Sequence, residues 1–398
     1  MRSALAVTNQ ARRPIGVAVA GFGWMGRVHT QAYARVLHHF PGLQLAPTLI
    51  AVADEVPGRA AEAAAQFGFA RAMRDWREML ADPGVDAVSI TAPNFLHREM
   101  GTAFAAAGKH IWIEKPVGLN TADTQAVAVA VRSRRVQGTV GFNYRNAPAV
   151  FAARELINAG ELGPISHARF RLLSDYAAHP EGALSWRFEL ARGGNGVLGD
   201  LGSHGVDLAW YLLGDVEAVI ADSAIFIPER SRPHGPTTGH SRAKSGQFGV
   251  VENYDFLSAL MRFRSGARAT LEVSRVAVGE QNNYGFEIHG AKGTVSWDFR
   301  RMGEIKVGVG TTYQDQSIQT MFVGPEQGAY GAFQPGSATA MSYDDLKVVE
   351  AHNFLASIAD RSPHGATLVD AVRAARTLDA MAESVRSGSW VRLPLTRT

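Results

Sequence analysis

The apolar positions in the first third of the chain come as short continuous runs, separated by stretches with helical spacing. Ile15-Gly16-Val17-Ala18-Val19-Ala20 is followed by a helical pattern over 24–37. Pro47-Thr48-Leu49-Ile50-Ala51-Val52-Ala53 is followed by an alanine-rich helix over 58–67, and 76–80 reads as one more helical turn. The run over 85–90 precedes a helix over 96–107 that stops at Gly108, where glycine takes left-handed backbone without steric cost. A strand over 110–113, a helix over 121–134 and a strand over 139–142 complete the series. Unalternating apolar runs with helices between them predict a parallel, doubly wound α/β sheet covered on both faces.

The rhythm changes after Asn146-Ala147-Pro148. A helix over 148–158 leads to segments at 165–174, 216–226, 254–263, 268–278, 284–289 and 293–299, most of them alternating apolar with polar. Alternation marks strands with only one covered face, so the second part reads as an α+β domain on a large open, mostly antiparallel sheet. Residues 228–249 form a polar loop rich in Pro, Gly and Ser, 343–359 and 366–386 are helical, and 390–393 is a last short strand. The expected organisation is a disordered tail over 1–14, a dinucleotide-binding domain over 15–146 and a substrate and oligomerisation domain over 147–398. A length of 398 residues suits two cores.

Composition acts mainly by exclusion. With no cysteine, disulfides, thiolate catalysis and Cys-ligated zinc are ruled out. The net charge is only +3, and the densest basic cluster, Arg132-Ser133-Arg134-Arg135, reads as a solvated helix end, so a nucleic-acid partner has little support. No apolar stretch is long enough to span a bilayer. Arg12-Arg13 precedes a run that merges into a glycine motif, which makes that run a first strand rather than an export signal. The expectation is a cytoplasmic protein with no membrane partner.

Two motifs about ninety residues apart carry the chemistry. The first, Gly21-Phe22-Gly23-Trp24-Met25-Gly26, lies directly behind the first strand. Gly21 permits a tight turn, Gly23 lets backbone approach a pyrophosphate, and Gly26 lets the helix pack on the strand, while the helix N-terminus offers N–H groups to phosphate. Asp54 ends the second strand, where a carboxylate accepts from the adenosine ribose hydroxyls and repels a 2′-phosphate. That favours NAD over NADP, although Arg59 close by would work against the preference. Thr91, Pro93 and Asn94 end the next strand on the same edge. His97 completes the expected cofactor set on that side, with packing at the helix start as its alternative role.

The second motif is Glu114-Lys115-Pro116, at a strand end that in this fold faces the ligand crevice. Glu114, Lys115 and Asn143 join the cofactor set. Further on, a glycine-rich loop, Gly193-Gly194-Asn195-Gly196, leads into Asp200-Leu201-Gly202-Ser203-His204-Gly205-Val206-Asp207. A helix from Asp200 onward would put Asp200, His204 and Asp207 on one face. A carboxylate and an imidazole one turn apart suit proton abstraction from a hydroxyl. A zinc site is disfavoured, because catalytic zinc usually takes more nitrogen ligands. Asp207 reads as structural. Tyr144, Arg145, Tyr176, Trp186 and Arg187 are candidate pocket residues beside Lys115, Asp200 and His204.

Together these motifs resemble the Gfo/Idh/MocA oxidoreductases, over nearly the whole chain. The runs Asp75-Trp76, Thr91-Ala92-Pro93-Asn94-Phe95-Leu96-His97 and Gly141-Phe142-Asn143-Tyr144-Arg145 are similar to the branch of sugar 3-dehydrogenases, levoglucosan dehydrogenases and inositol dehydrogenases. The resemblance implies a Rossmann domain followed by an open-sheet domain, Lys115, Asp200 and His204 as the catalytic triad, and NAD as cofactor. It also implies a sugar, anhydrosugar, glycoside or cyclic polyol as substrate, oxidised at a ring hydroxyl, typically at C3. A homo-oligomer, a tetramer or dimer, through the open sheet face is expected. The alternatives are an inositol 2-dehydrogenase, an NADPH-dependent keto-sugar reductase, a glycosidase that borrows NAD transiently and a non-catalytic NAD-binding regulator. Loss of the lysine or histidine would mark the last, and both are present.

Overall fold

The computed structural model describes residues 12–235 and 241–395. Most of the expected tail and part of the 228–249 loop lie outside the described residues. In chain order the elements are β1 (Arg13–Ala20), α1 (Trp24–His39), β2 (Leu45–Ala53), α2 (Arg59–Phe67), β3 (Arg71–Met73), β4 (Ala87–Ile90), α3 (Asn94–Ala106), β5 (His110–Ile113), α4 (Thr121–Arg134) and β6 (Gly138–Val140). There follow α5 (Pro148–Asn158), β7 (Ile165–Leu173), the single turn α6 (Leu190–Gly193), α7 (Ser203–Leu213), β8 (Val216–Ala224), β9 (Glu229–Ser231), β10 (Phe248–Val250), β11 (Phe256–Phe263) and β12 (Arg268–Ser274). The last are β13 (Asn283–Gly290), β14 (Gly293–Asp298), β15 (Glu304–Val309), β16 (Gln319–Phe322), α8 (Tyr343–Asp360), α9 (Leu368–Ser387) and β17 (Val391–Arg392).

Two compact units result, and neither is continuous in sequence. The first comprises Met1–Glu114, Val129–Gly141 and Ser342–Thr367; the second comprises Lys115–Ala128, Phe142–Met341 and Leu368–Thr398. Besides the passage from one unit to the other near the expected boundary, the chain crosses at 114/115 and 128/129, and α8 belongs to the first unit. The strand at the start also begins earlier than expected, since Arg13 and Pro14 already pair with Leu45 and Ala46.

In the first unit six strands run parallel in the order β3-β2-β1-β4-β5-β6. Val17, Ala18 and Val19 are each fully buried although consecutive side chains point to opposite faces, so both faces are covered. In the second unit nine strands form a mixed sheet, β16-β15-β14-β13-β7-β12-β11-β8-β17, in which β7 and β12 are parallel and the other neighbours antiparallel. Burial alternates along β11 and β12, leaving one face open. On the covered face, a Cβ at Gly205 of α7 would lie 2.6 Å from Leu172 and Leu271 methyl groups, so glycine sets the close approach of helix to sheet. The 228–249 segment is not wholly loop, because β9 and β10 pair antiparallel at its ends.

Candidate active site

In the first unit, Gly21 has φ +89°, and a Cβ there would stand 2.6 Å from the Ala92 backbone. A Cβ at Gly26 would stand 2.4 Å from the Gly21 carbonyl, whereas one at Gly23 would meet nothing within 4 Å. The turn is thus closed where helix meets strand and open where a pyrophosphate approaches. Gly23 caps α1 without a side chain, no acidic residue lies in the first turn, and the leading N–H groups belong to Trp24, Met25 and Gly26. Trp24 is largely exposed and stacks on Tyr343 of α8 at 5.2 Å. These features fit a dinucleotide.

Asp54 is buried at the end of β2 and tied to the same turn. Its Oδ2 accepts the Phe22 N–H at 2.7 Å and its Oδ1 accepts the Val56 N–H at 2.9 Å. Thr91 donates its hydroxyl to the Gly21 carbonyl at 2.5 Å, bracing the turn, and Pro93 and Asn94 open α3. His97 is buried and hydrogen-bonds the Ala92 carbonyl through Nε2 at 2.8 Å, which packs it at the helix start.

Glu114 is buried as well, and its Oε1 accepts from Lys347 Nζ of α8 at 2.5 Å and from His29 Nε2 of α1 at 2.9 Å. Lys347 also reaches Glu350 Oε2 at 2.8 Å. Burial pushes His29 down to about 4, so the ring is neutral; donating from Nε2 leaves Nδ1 as an acceptor facing the Ser89 hydroxyl at 3.1 Å. Burial opposes ionisation of both carboxyls, but Lys347 and His29 hold Glu114 well below the usual carboxylate range, whereas Glu350, sharing the same ammonium, is raised to about 7. The ligand atoms of His29, Glu114 and Glu350 lie within 4.8 Å of one another, as metal ligands would, yet the Lys347 ammonium already stands among them.

In the second unit Lys115 Nζ donates to Asp200 Oδ1 at 2.8 Å and to the Asp200 carbonyl at 3.0 Å. Tyr176 donates its hydroxyl to Asp200 Oδ2 at 2.7 Å. Burial opposes the charge on Asp200, but Lys115 and Arg187 outweigh it and hold the carboxyl well below its ordinary value. Burial and the neighbouring Asp200 anion push the Tyr176 hydroxyl well above its usual range, so it stays a donor. Trp186 lies under the Arg187 guanidinium at 4.4 Å.

The expected one-face helix is corrected by a π-helical turn over Leu198–Gly202, ahead of α7. The wider turn holds Asp200 while α7 carries His204, and π turns of this kind often mark functional positions. His204 is buried against the ring of Tyr144 at 4.5 Å, and Tyr144 in turn contacts Tyr284 at 5.6 Å and Phe299 at 5.0 Å. Asp207 forms a bidentate pair with the buried Arg145, which also reaches Asp370 at 3.3 Å. Arg145 is thus committed to two carboxylates. Asn143 is fully buried, and neither atom of its carboxamide has a hydrogen-bond partner among the described residues, so it suits a bound group.

Sequence reading passed over Lys347 and Glu350. The signal was there: Leu346, Val348, Val349 and Ala351 surround them, and a helix apolar on every side is a buried one.

A glycine turn fitted to a dinucleotide and a lysine–carboxylate–tyrosine set beside a histidine define an NAD-binding oxidoreductase. Residues 15–142 match the oxidoreductase family model with an NAD-binding Rossmann fold, and residues 150–296 match the GFO/IDH/MocA C-terminal domain. The chain belongs to the GFO/IDH/MocA family. It is 36% identical over 383 residues to a levoglucosan dehydrogenase from Pseudarthrobacter phenanthrenivorans, covering 96% of this chain and 98% of that protein. It is 31% identical to a scyllo-inositol 2-dehydrogenase (NAD(+)) from Bacillus subtilis, covering 65% of this chain and 67% of that protein. Among solved structures, a levoglucosan dehydrogenase in complex with NADH and L-sorbose superposes with a TM-score of 0.90 at 34% identity, covering 96% of this chain and 99% of the other. No helix among the described residues is long and apolar enough to cross a membrane.

Proposed function

We propose that the chain catalyses reversible, NAD-dependent oxidation of a secondary ring hydroxyl, at C3 of a sugar, anhydrosugar or glycoside, to a ketone. The observation that carries this reading is the Asp200 carboxylate, bonded at both of its oxygens. One oxygen takes Lys115 and the other takes Tyr176, so Asp200 serves to hold the ammonium and not to bind protons. Lys115 keeps further N–H donors for a substrate oxygen and stabilises the developing alkoxide. His204 takes the hydroxyl proton as base, its ring set by packing on Tyr144. Bound NAD supplies the hydride acceptor at C4 of its nicotinamide ring. Asn143 presents both a donor and an acceptor to a bound group. The similarity to levoglucosan and inositol dehydrogenases supports a cyclic polyol as the substrate class.

The test is absorbance at 340 nm with purified protein and NAD, against levoglucosan, glucose, glucosides and the inositols. A rise with an anhydrosugar or glycoside, and a 3-keto product by NMR, is the expected result. Turnover confined to the inositols would transfer the chain to the inositol reading. NAD binding with no turnover of any member would overturn the dehydrogenase reading.

A further inference from the structure

The adenosine end of the cofactor site holds two groups of opposite preference. A carboxylate at the end of the second strand selects NAD, while an arginine just beyond it receives the 2′-phosphate of NADP. Both are present here, and they are bonded to each other. Arg59 Nη1 lies 3.2 Å from Asp54 Oδ1 and 3.4 Å from Oδ2.

The two partners are held very differently. Asp54 is fixed by the Phe22 and Val56 N–H groups, and its side chain is 6% exposed. The Arg59 side chain is 36% exposed, and its contacts to the carboxylate are longer than a strong charge-assisted bond. Arg59 is also the first residue of α2, which is capped by Gly58 with φ +84° and no side-chain hydrogen bond. A helix N-terminus without a side-chain cap and an arginine therefore stand at the same point, the Arg59 N–H itself bonding the Val56 carbonyl, with Glu62 in the first turn as the opposing charge.

We propose that Arg59 is a held-back ligand for a 2′-phosphate, and that Asp54 keeps it out of use as well as repelling the phosphate. Specificity for NAD then rests on one carboxylate acting twice. It presents an anion to the ribose, and it neutralises the arginine that would compete by receiving a 2′-phosphate. Removing Asp54 exposes a cation as well as removing a repulsion. The inference concerns cofactor choice alone and stands whichever polyol the enzyme oxidises.

Calorimetric titration of NAD and NADP into the full-length protein tests it without turnover. Asp54→Ser is expected to strengthen NADP binding by about tenfold or more while weakening NAD, as a charge-assisted phosphate contact is gained. Adding Arg59→Ala to it should abolish the gain, and Arg59→Ala alone should leave NADP weak because the carboxylate remains. Asp54 accepts two backbone N–H groups, so Asp54→Asn, which keeps one acceptor oxygen, is titrated alongside, with melting temperature as the check on folding. A gain in NADP affinity that persists without Arg59 would overturn the proposal, and so would no gain in either Asp54 variant that folds.

Discussion

Two lysine–carboxylate pairs, Lys347–Glu114 in the first unit and Lys115–Asp200 in the second, differ chiefly in exposure. Lys347 and Glu114 are sealed in the first unit, with side chains 0% and 7% exposed. Lys115 and Asp200 in the second unit retain 15% and 33%. Bond lengths are comparable, at 2.5 and 2.8 Å, so geometry alone does not separate them. Exposure does. A sealed ammonium is fully committed to its carboxylates and His29's neutral ring completes the set, whereas a partly exposed ammonium keeps donors for a ligand. The first pair holds structure, and the function proposed above puts the chemistry at the second, although the sequence places Glu114 and Lys115 side by side.

Breaking the exposed pair is the largest effect expected on turnover. Lys115→Ala should lower kcat/KM by roughly three orders of magnitude, with unfolding stability changed by no more than about 1 kcal/mol. Steady-state kinetics and denaturant unfolding check both halves, and near-normal turnover would remove Lys115 from the mechanism. Breaking the sealed pair should do the reverse to stability. Lys347→Met leaves a buried carboxylate uncompensated and should cost about 3–5 kcal/mol in unfolding free energy. Adding Glu114→Gln should restore part of that loss; full stability in Lys347→Met alone would show that the ion set is not structural.

The smallest effect is a pH dependence. Glu350 has a folded value of about 7, above the ordinary 4.5, because burial and the Glu114 anion outweigh Lys347. A raised carboxyl contributes stability that is fully present below the ordinary value and is lost as pH rises through the folded one. The wild type should therefore lose stability between pH 5 and 8, and Glu350→Gln, always neutral, should flatten that decline. Equal slopes of melting temperature against pH in the two proteins would sink the assignment.

Much of the first unit was legible in the sequence because its strands are apolar on both faces and its glycine turn carries a steric signature. The expected strand over 110–113 and helix over 121–134 have the observed bounds. What escaped was edge and register. β3 is three residues long with little burial, and β16 is exposed along its whole length, so neither leaves a hydrophobic trace. The π turn before α7 changes which side chains align, and no residue pattern around Asp200 announces it. The roles of Glu114, His97 and Arg145 depended on partners 233, 5 and 62 positions away. His97 had a packing role open to it from the outset, but the remote partners of the other two are invisible to local reading.

The discontinuity of the first unit bears on how the protein is made. During synthesis β1 to β6 emerge first, yet the ammonium that balances Glu114 sits in α8, more than two hundred residues later. Until then the ribosome-bound chain carries a nucleotide-binding sheet whose Glu114, just past the end of β5, lacks its ammonium. The second unit's large sheet is being translated in that interval. Completion of the cofactor unit is thus a late, long-range closure, of the kind that slows folding and invites chaperone attention. A fragment ending near residue 146 would stay in that unfinished state.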